Sequence, residues 1–266
     1  MLAASNDRIK RLRKLIKRRQ ARSSERAFVV EGPVLVAEAL TAQSAGTIEI
    51  AELYVGEELS SLPTGAEVVD ELHWVRAGVL AGVLSTVSPQ PVCAVVRVPE
   101  HTLESLADGP ILGVVDLRDP GNAGTLLRTA EAAGFAGVAM IGDSVDTTNP
   151  KVVRASAGAR LRLPVLEMRE VHHALASLRG SGRDVVATVV DSSAPGYVDA
   201  DLASVALILG NEAAGLDHAV IGAADRTVTI PLAGPTESLN VAAAGAVLCF
   251  ESLRQRRAVG MAEYGR

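Results

Sequence analysis

The chain lacks the marks of several large protein classes. No apolar run reaches the roughly 18 to 20 uninterrupted residues that a membrane span needs, and the opening MLAASNDRIKRLRKLIKRRQ is polar where a secretory leader is apolar. These two absences lead to the expectation of a cytoplasmic protein that does not engage a membrane. Cysteine is scarce: Cys93 and Cys249 lie far apart inside apolar stretches and read as buried free thiols. Neither GxGxxG nor GxxxxGK followed by Ser or Thr occurs, which excludes the usual dinucleotide and P-loop fingerprints. No GxSxG elbow supports Ser-His-Asp hydrolysis. His172 and His173 are adjacent, hence about 100° apart on a helix, and no Cys or carboxylate cluster accompanies them at metal-ligand spacing. They are expected on a helix surface, and no metal site is expected. Internal repeats and low-complexity tracts are also missing.

What is present is a globular composition of 48% hydrophobic and 21% charged residues, enough to bury a sizeable core. The net charge of -5 hides an asymmetry. Arg8, Lys10, Arg11, Arg13, Lys14, Lys17, Arg18, Arg19, Arg22 and Arg26 face one acid, Glu25, so a segment of +9 sits on a body of -14. A basic segment on an acidic body suits a polyanion, because each neutralised phosphate releases counterions. RNA or DNA is the leading partner class, and a solvated basic helix or tail is the bland alternative. Leu12, Leu15 and Ile16 recur at spacings that give residues 1–26 one docked helical stripe. That stripe has no aromatic anchor for a membrane surface.

The remainder reads as two α/β blocks. In residues 27–100, the β-like runs AFVV, IAELYV and PVCAVVRV alternate with helical patterns such as PVLVAEALTAQ. A polar stretch with Pro99 and Pro110 places a linker at 101–110. Residues 111–258 carry ILGVVDL, GVAMIG, LRLPVLE, DVVATVV, VALILG and TVTIPL, short apolar runs of the kind buried in a parallel sheet with helices on both faces. A tail, 259–266, follows. Ligands of such sheets gather at the carboxyl ends of the strands.

Three loops stand at such ends. In DLRDPGNAGTLLRTAEAAG, Asn122 reads as a helix N-cap, Gly124 as a close-approach glycine, and Arg128 lies six residues beyond Asn122. In LILGNEAAGL, Gly210 ends an apolar strand, where it lets a ligand approach the backbone, and Glu212 follows. In IPLAGPTESLNVAAAGAVLCFE, a Gly-Pro loop precedes a small-residue helix started by Thr236 or Ser238. Taken singly, each loop has an ordinary turn-and-cap explanation.

Together they resemble the three motifs of the SpoU/TrmH group of RNA ribose methyltransferases, in the SPOUT superfamily. Asn122, Gly124 and Arg128 match NxGxxxR; Gly210, Glu212, Gly215 and Leu216 match GxExxGL; Ile230, Pro231, Gly234, Ser238, Leu239, Asn240 and Val241 match the IP...G...SLNV block. NPKVVRASAGA also looks like the family, and the likeness spans about residues 108–258. Ala242 stands where many relatives carry Ser, and Leu232 where Met is common. The N-terminal block resembles the substrate-binding domain often attached to this group.

The resemblance implies a C-terminal parallel α/β domain with a deep trefoil knot, a smaller N-terminal α/β RNA-binding domain, and a homodimer. It implies S-adenosylmethionine as methyl donor, held by Gly210, Ile230 and Leu239, with Leu209 and Leu232 as apolar walls. Arg128 is then the residue expected at the chemical step, with Asn122, Glu212, Ser238 and Asn240 orienting groups around it. The expected reaction is methylation of a ribose 2′-hydroxyl, of rRNA first and tRNA second. A catalytically silent RNA-binding protein and a small-molecule methyltransferase are the competing classes; the first fails if S-adenosylmethionine binds, the second if activity depends on salt and RNA.

Overall fold

The computed structural model describes residues 1–212 and 214–258; the tail expected at 259–266 lies outside them. In chain order the helices are α1 (Asp7–Lys17), α2 (Arg19–Glu25), α3 (Pro33–Ser44), α4 (Pro120–Ala132), α5 (Pro150–Ala155), α6 (Ala159–Arg162), α7 (Val171–Gly180), α8 (His218–Ala223) and α9 (Val241–Ala258). The strands are β1 (Ala27–Glu31), β2 (Glu49–Gly56), β3 (Leu72–Val75), β4 (Val92–Arg97), β5 (Ile111–Val115), β6 (Gly137–Ile141), β7 (Val165–Met168), β8 (Asp184–Thr188), β9 (Val205–Leu209) and β10 (Arg226–Val228). They form two compact units. One comprises Met1–Pro99 with Asp146–Arg162; the other comprises Glu100–Val145 with the chain from Leu163 on.

The first unit is built on a sheet of order β1-β4-β2-β3, antiparallel except between β2 and β3. β1 is buried along its whole length because both faces of the sheet are covered, so alternate residues enter different cores. Ala27 and Val29 join Tyr54, Cys93 and Val95 beneath the apolar stripe of α1, which is Ile9, Leu12, Leu15 and Ile16. Phe28 and Val30 join Val92, Ala94 and Val96 beneath α3, together with Val153 and Leu161. Residues 146–162 lie inside the stretch that the sequence assigns to the second domain, yet they contribute to this core. β3 is the strand that the sequence pattern does not reveal: LHWV is four residues long, with Trp74 exposed.

The basic segment is divided in its duties. Arg8 and Arg11 reach Glu52 at 3.0 and 2.9 Å, and Arg11 also pairs with Glu25. Glu52 in turn accepts from the Tyr54 hydroxyl, whose ionisation is pushed far up by burial and by that carboxylate. Arg22 is 5% exposed and saturated. Its guanidinium contacts Asp146 at 2.5 Å and donates to Thr148 and to the carbonyls of Leu15 and Ile16, the open C-terminal end of α1. Lys14, Lys17, Arg18 and Arg19 remain exposed on the other side of α1 and at the start of α2.

The Arg22–Asp146 pair supports a direct prediction. Removing either partner strands a buried charge, so Arg22→Ala and Asp146→Ala should each cost about 3–5 kcal/mol. The double variant should cost clearly less than the sum, which denaturant melts of the four proteins will measure. Burial opposes the Asp146 charge, but hydrogen bonds from Thr148 and Arg22 outweigh it and hold the carboxyl below its ordinary value. The pair's contribution is therefore complete at neutral pH and is lost as pH falls below about 4, the unfolded carboxyl range. Additive single costs would contradict the pairing.

The second unit carries six parallel strands in the order β10-β8-β9-β5-β6-β7. All six apolar runs of the sequence appear as these strands, and the fold is α/β with a parallel sheet. Ile111, Ile141, Val185 and Ile208 pack under Leu175 and Leu178 of α7 and Val220 of α8. On the other face α4 and α9 pack together, close enough that a Cβ on Gly245 would overlap Leu126. The chain enters at the central β5, adds β6 and β7 on one side, then places β8, β9 and β10 on the other. Strand order thus reverses between β5 and β9, which opens a crevice at their carboxyl ends. Among the described residues no helix is long and apolar enough to cross a membrane. Cys93 and Cys249 are free and buried; burial pushes both thiols up, that of Cys249 to about 12. His172 and His173 are exposed on α7, as expected.

Candidate functional site

Three segments meet at the crevice, each shaped by its helix or turn chemistry. Asp119, not Asn122, caps α4: its carboxylate accepts the Asn122 N–H at 2.7 Å, and Pro120 takes the first turn, where no N–H is needed. Asn122 therefore stands inside the helix with its side chain released from capping. At the other helix, Asn240 replaces Thr236 and Ser238 as the cap. Its Oδ1 accepts from the N–H groups of Ala242 and Ala243 at 2.9 and 3.2 Å, and residues 231–240 form an irregular loop before it.

The two caps determine how the motifs meet. Since Asn240 Oδ1 faces the start of α9, its Nδ2 is left to donate, and it does so to Asn122 Oδ1 at 3.1 Å. Asn122 Nδ2 then donates to Glu212 Oε1 at 2.8 Å, the only direction open to an ionised carboxylate. One polar residue from each motif thus joins a single chain, Asn240 to Asn122 to Glu212, with every amide orientation fixed.

Gly210 is required by the loop itself: a Cβ there would overlap the backbone of Gly215 and Leu216, so the loop's return admits no side chain at this position. Gly215 closes that return with φ +66° and bridges to Asn211.

Beside this loop lies a cavity of about 650 Å³, within the second unit. All five residues expected to hold a cofactor line it: Leu209, Gly210, Ile230, Leu232 and Leu239. Glu212 and Ser238 line it too, whereas Asn122 and Asn240 stand behind Glu212 and Arg128 is absent from the lining. Arg128 is exposed on α4, with no ion pair among the described residues. Leu239, 39% exposed, and Val190, 74% exposed, leave the cavity with apolar lips. Asp191 and His218, which no sequence motif singles out, also line it. The available signal was position, since Asp191 follows a strand end beside the crevice. Among the described residues no group of three or more His, Cys, Asp and Glu could hold a metal ion.

The family model described as the SpoU rRNA methylase family matches residues 110–250, more than half of the chain. The chain belongs to the SpoU rRNA methylase family. A second model, the MRM3-like substrate binding domain, matches residues 6–94. Among SpoU relatives, the 23S rRNA (guanosine(2553)-2'-O)-methyltransferase RlmP of Bacillus subtilis is 34% identical over 248 residues, 93% of this chain and 96% of the relative. A 23S rRNA (uridine(2479)-2'-O)-methyltransferase of Streptomyces viridochromogenes is 36% identical over 64% of this chain and 62% of its own length. In structure, the SpoU methyltransferase AviRb from Streptomyces viridochromogenes superposes with a TM-score of 0.82 at 26% identity, covering 97% of this chain and all of that one. An AdoMet-bound rRNA methyltransferase from Sinorhizobium meliloti gives 0.82 at 28% identity, over 94% and 95%.

Proposed function

We propose that the protein transfers a methyl group from S-adenosylmethionine to a ribose 2′-hydroxyl of 23S rRNA, as a cytoplasmic homodimer. The observation that carries this reading is the chain Asn240, Asn122, Glu212, which draws one residue from each motif to the wall of a ligand-sized cavity. Nearly the whole chain is similar to an enzyme named for this chemistry. The residues present suit the donor: about 650 Å³ lies within the roughly 300–1,000 Å³ of small-molecule sites, and Leu209, Ile230 and Leu232 offer apolar walls for adenine. When bound, S-adenosylmethionine supplies an already activated methyl group on its sulfonium, so no metal is called for. Backbone groups of Gly210, Ile230 and Leu239 hold the polar edges of the donor in this reading. Glu212, with its orientation fixed by Asn122, and Ser238 orient the incoming nucleotide.

Arg128 completes the set. A guanidinium is a poor general base and a good fork-shaped donor, so the role of Arg128 in this reading is to stabilise charge developing on the ribose oxygen. The reading includes the family's trefoil knot and dimer. In support, α9 runs from the edge strand β10 back to α4, and it leaves Phe250 48% exposed.

The RNA itself belongs to the first unit in this reading, on Lys14, Lys17, Arg18 and Arg19, because Arg8, Arg11 and Arg22 are engaged internally. Replacing those four by Ala should weaken RNA binding and lower the salt slope by roughly 0.7–0.9 for each phosphate no longer neutralised, with donor affinity unchanged. An unchanged slope would assign the RNA to another surface. The reaction is tested by incubating the purified protein with methyl-labelled S-adenosylmethionine and protein-free 23S rRNA. Label recovered in a 2′-O-methylated nucleoside supports the reading; label on a base, or none, overturns it.

A further inference from the structure

Two carboxylates line the cavity, and they are held differently. Glu212 is engaged by Asn122 from across the crevice. Among the described residues Asp191 is engaged only by its own loop: its Oδ1 accepts from the Ser193 N–H and from the Ser193 hydroxyl, both at 2.8 Å. Those bonds fix the carboxylate in one orientation and hold its ionisation below the ordinary carboxyl value, while Oδ2 carries no partner among the described residues. A pinned, charged acceptor with an unused oxygen on a cavity wall is suited to a ligand that donates hydrogen bonds.

Its place in the sheet says which part of a ligand. Asp191 follows β8, and the Val189 N–H donates to the Val228 carbonyl at 2.9 Å, so the exit of β8 runs beside that of β10 and near Ile230. β9 lies between β8 and β5, and α4 with Asn122 follows β5. The exits of β8 and β10 thus bring Val189, Val190, Val228 and Ile230 to the cavity wall around Asp191, whereas Glu212, held by Asn122, stands past the end of β9. A carboxylate beside the reacting sulfonium would also work against the reaction, because it stabilises a positive charge that disperses on the way to the transition state. Asp191 follows β8, which β9 separates from β5 and from the α4 that carries Arg128.

We propose that Asp191 accepts hydrogen bonds from the ribose hydroxyls of the adenosine half of the methyl donor, and so selects ribonucleoside ligands at the cavity. The inference rests on the assignment of the cavity to S-adenosylmethionine, and it makes Asp191 a specificity residue.

The test is calorimetry with four probes: S-adenosylmethionine, S-adenosylhomocysteine, 5′-methylthioadenosine and 2′-deoxy-5′-methylthioadenosine. The wild-type protein should bind 5′-methylthioadenosine roughly tenfold more tightly than its 2′-deoxy form, the scale of a hydrogen bond to a charged group. In Asp191→Ala that preference should fall to within about twofold, and both S-adenosyl ligands should weaken by one common factor of roughly ten. Asp191→Asn retains an oxygen for the Ser193 bonds and removes the charge; an intermediate loss of preference is expected, which separates the effect from collapse of the loop. A retained ribose preference in Asp191→Ala overturns the proposal. So does weakening of S-adenosylmethionine alone, which points to the sulfonium, or of both S-adenosyl ligands with 5′-methylthioadenosine untouched, which points to the ammonium. Failure of the wild-type protein to bind any of the four would overturn the cofactor assignment as well, and is thereby distinguishable.

Discussion

Arg128→Ala should fold normally and bind S-adenosylmethionine as the wild-type protein does, while single-turnover methyl transfer at saturating RNA and donor falls on the order of a hundredfold or more. The first half follows from the structure. Arg128 is an exposed residue of α4 and lies outside the cavity lining, so truncation opens no core and removes no wall of the donor site. The second half follows from the proposed role, since a donor aimed at developing charge acts in the transition state and not on ground-state binding. Saturation separates that loss from weak RNA association. Arg128→Lys should rescue poorly, because a point charge does not reproduce the guanidinium fork. Near-normal transfer by the alanine variant would move the chemical role to Glu212 and the residues that hold it.

Gly210→Val is expected to abolish donor binding, with affinity reduced by on the order of a hundredfold or more. The added Cβ meets backbone atoms of Gly215 and Leu216, not the end of a flexible side chain, so the loop from Asn211 to Leu216 must open. Opening it displaces Glu212 from Asn122 and removes one wall of the cavity. The sheet beneath should survive, because β9 ends at Leu209 and its register with β5 and β8 does not involve residue 210. Calorimetry paired with a thermal melt tests both statements. Full affinity in a folded Gly210→Val protein would show that the loop's return is dispensable.

Much of this molecule was legible in the sequence. The central strands β5, β6 and β9 are buried along their whole length, so each shows in the sequence as an unbroken apolar run, and the flanking β7, β8 and β10, only partly buried, still carry runs long enough to be found. The motif residues Leu209, Gly210, Glu212, Ile230, Leu232, Ser238 and Leu239 were found in the order that brings them to one cavity. What escaped depends on competition between neighbours or on distant pairing. Asp119 and Asn122 are both good caps, and only the helix start decides between them; the same holds for Thr236, Ser238 and Asn240. Arg22 looks like one more base in a run of bases, and its partner Asp146 is 124 residues away. No local pattern predicts that pairing. β3 is too short, and too evenly mixed in exposure, to show a period of two.

Methylation of a ribose of 23S rRNA, the proposed reaction, leaves a mark that can be read in cells. The most direct test maps 2′-O-methylation along 23S rRNA from cells with and without the protein, and from cells that carry Arg128→Ala in its place. One ribose methylation should vanish when the protein is removed, return with the wild-type chain, and stay absent or strongly reduced with the variant. An identical ribose methylation map in all of these cells would contradict the account.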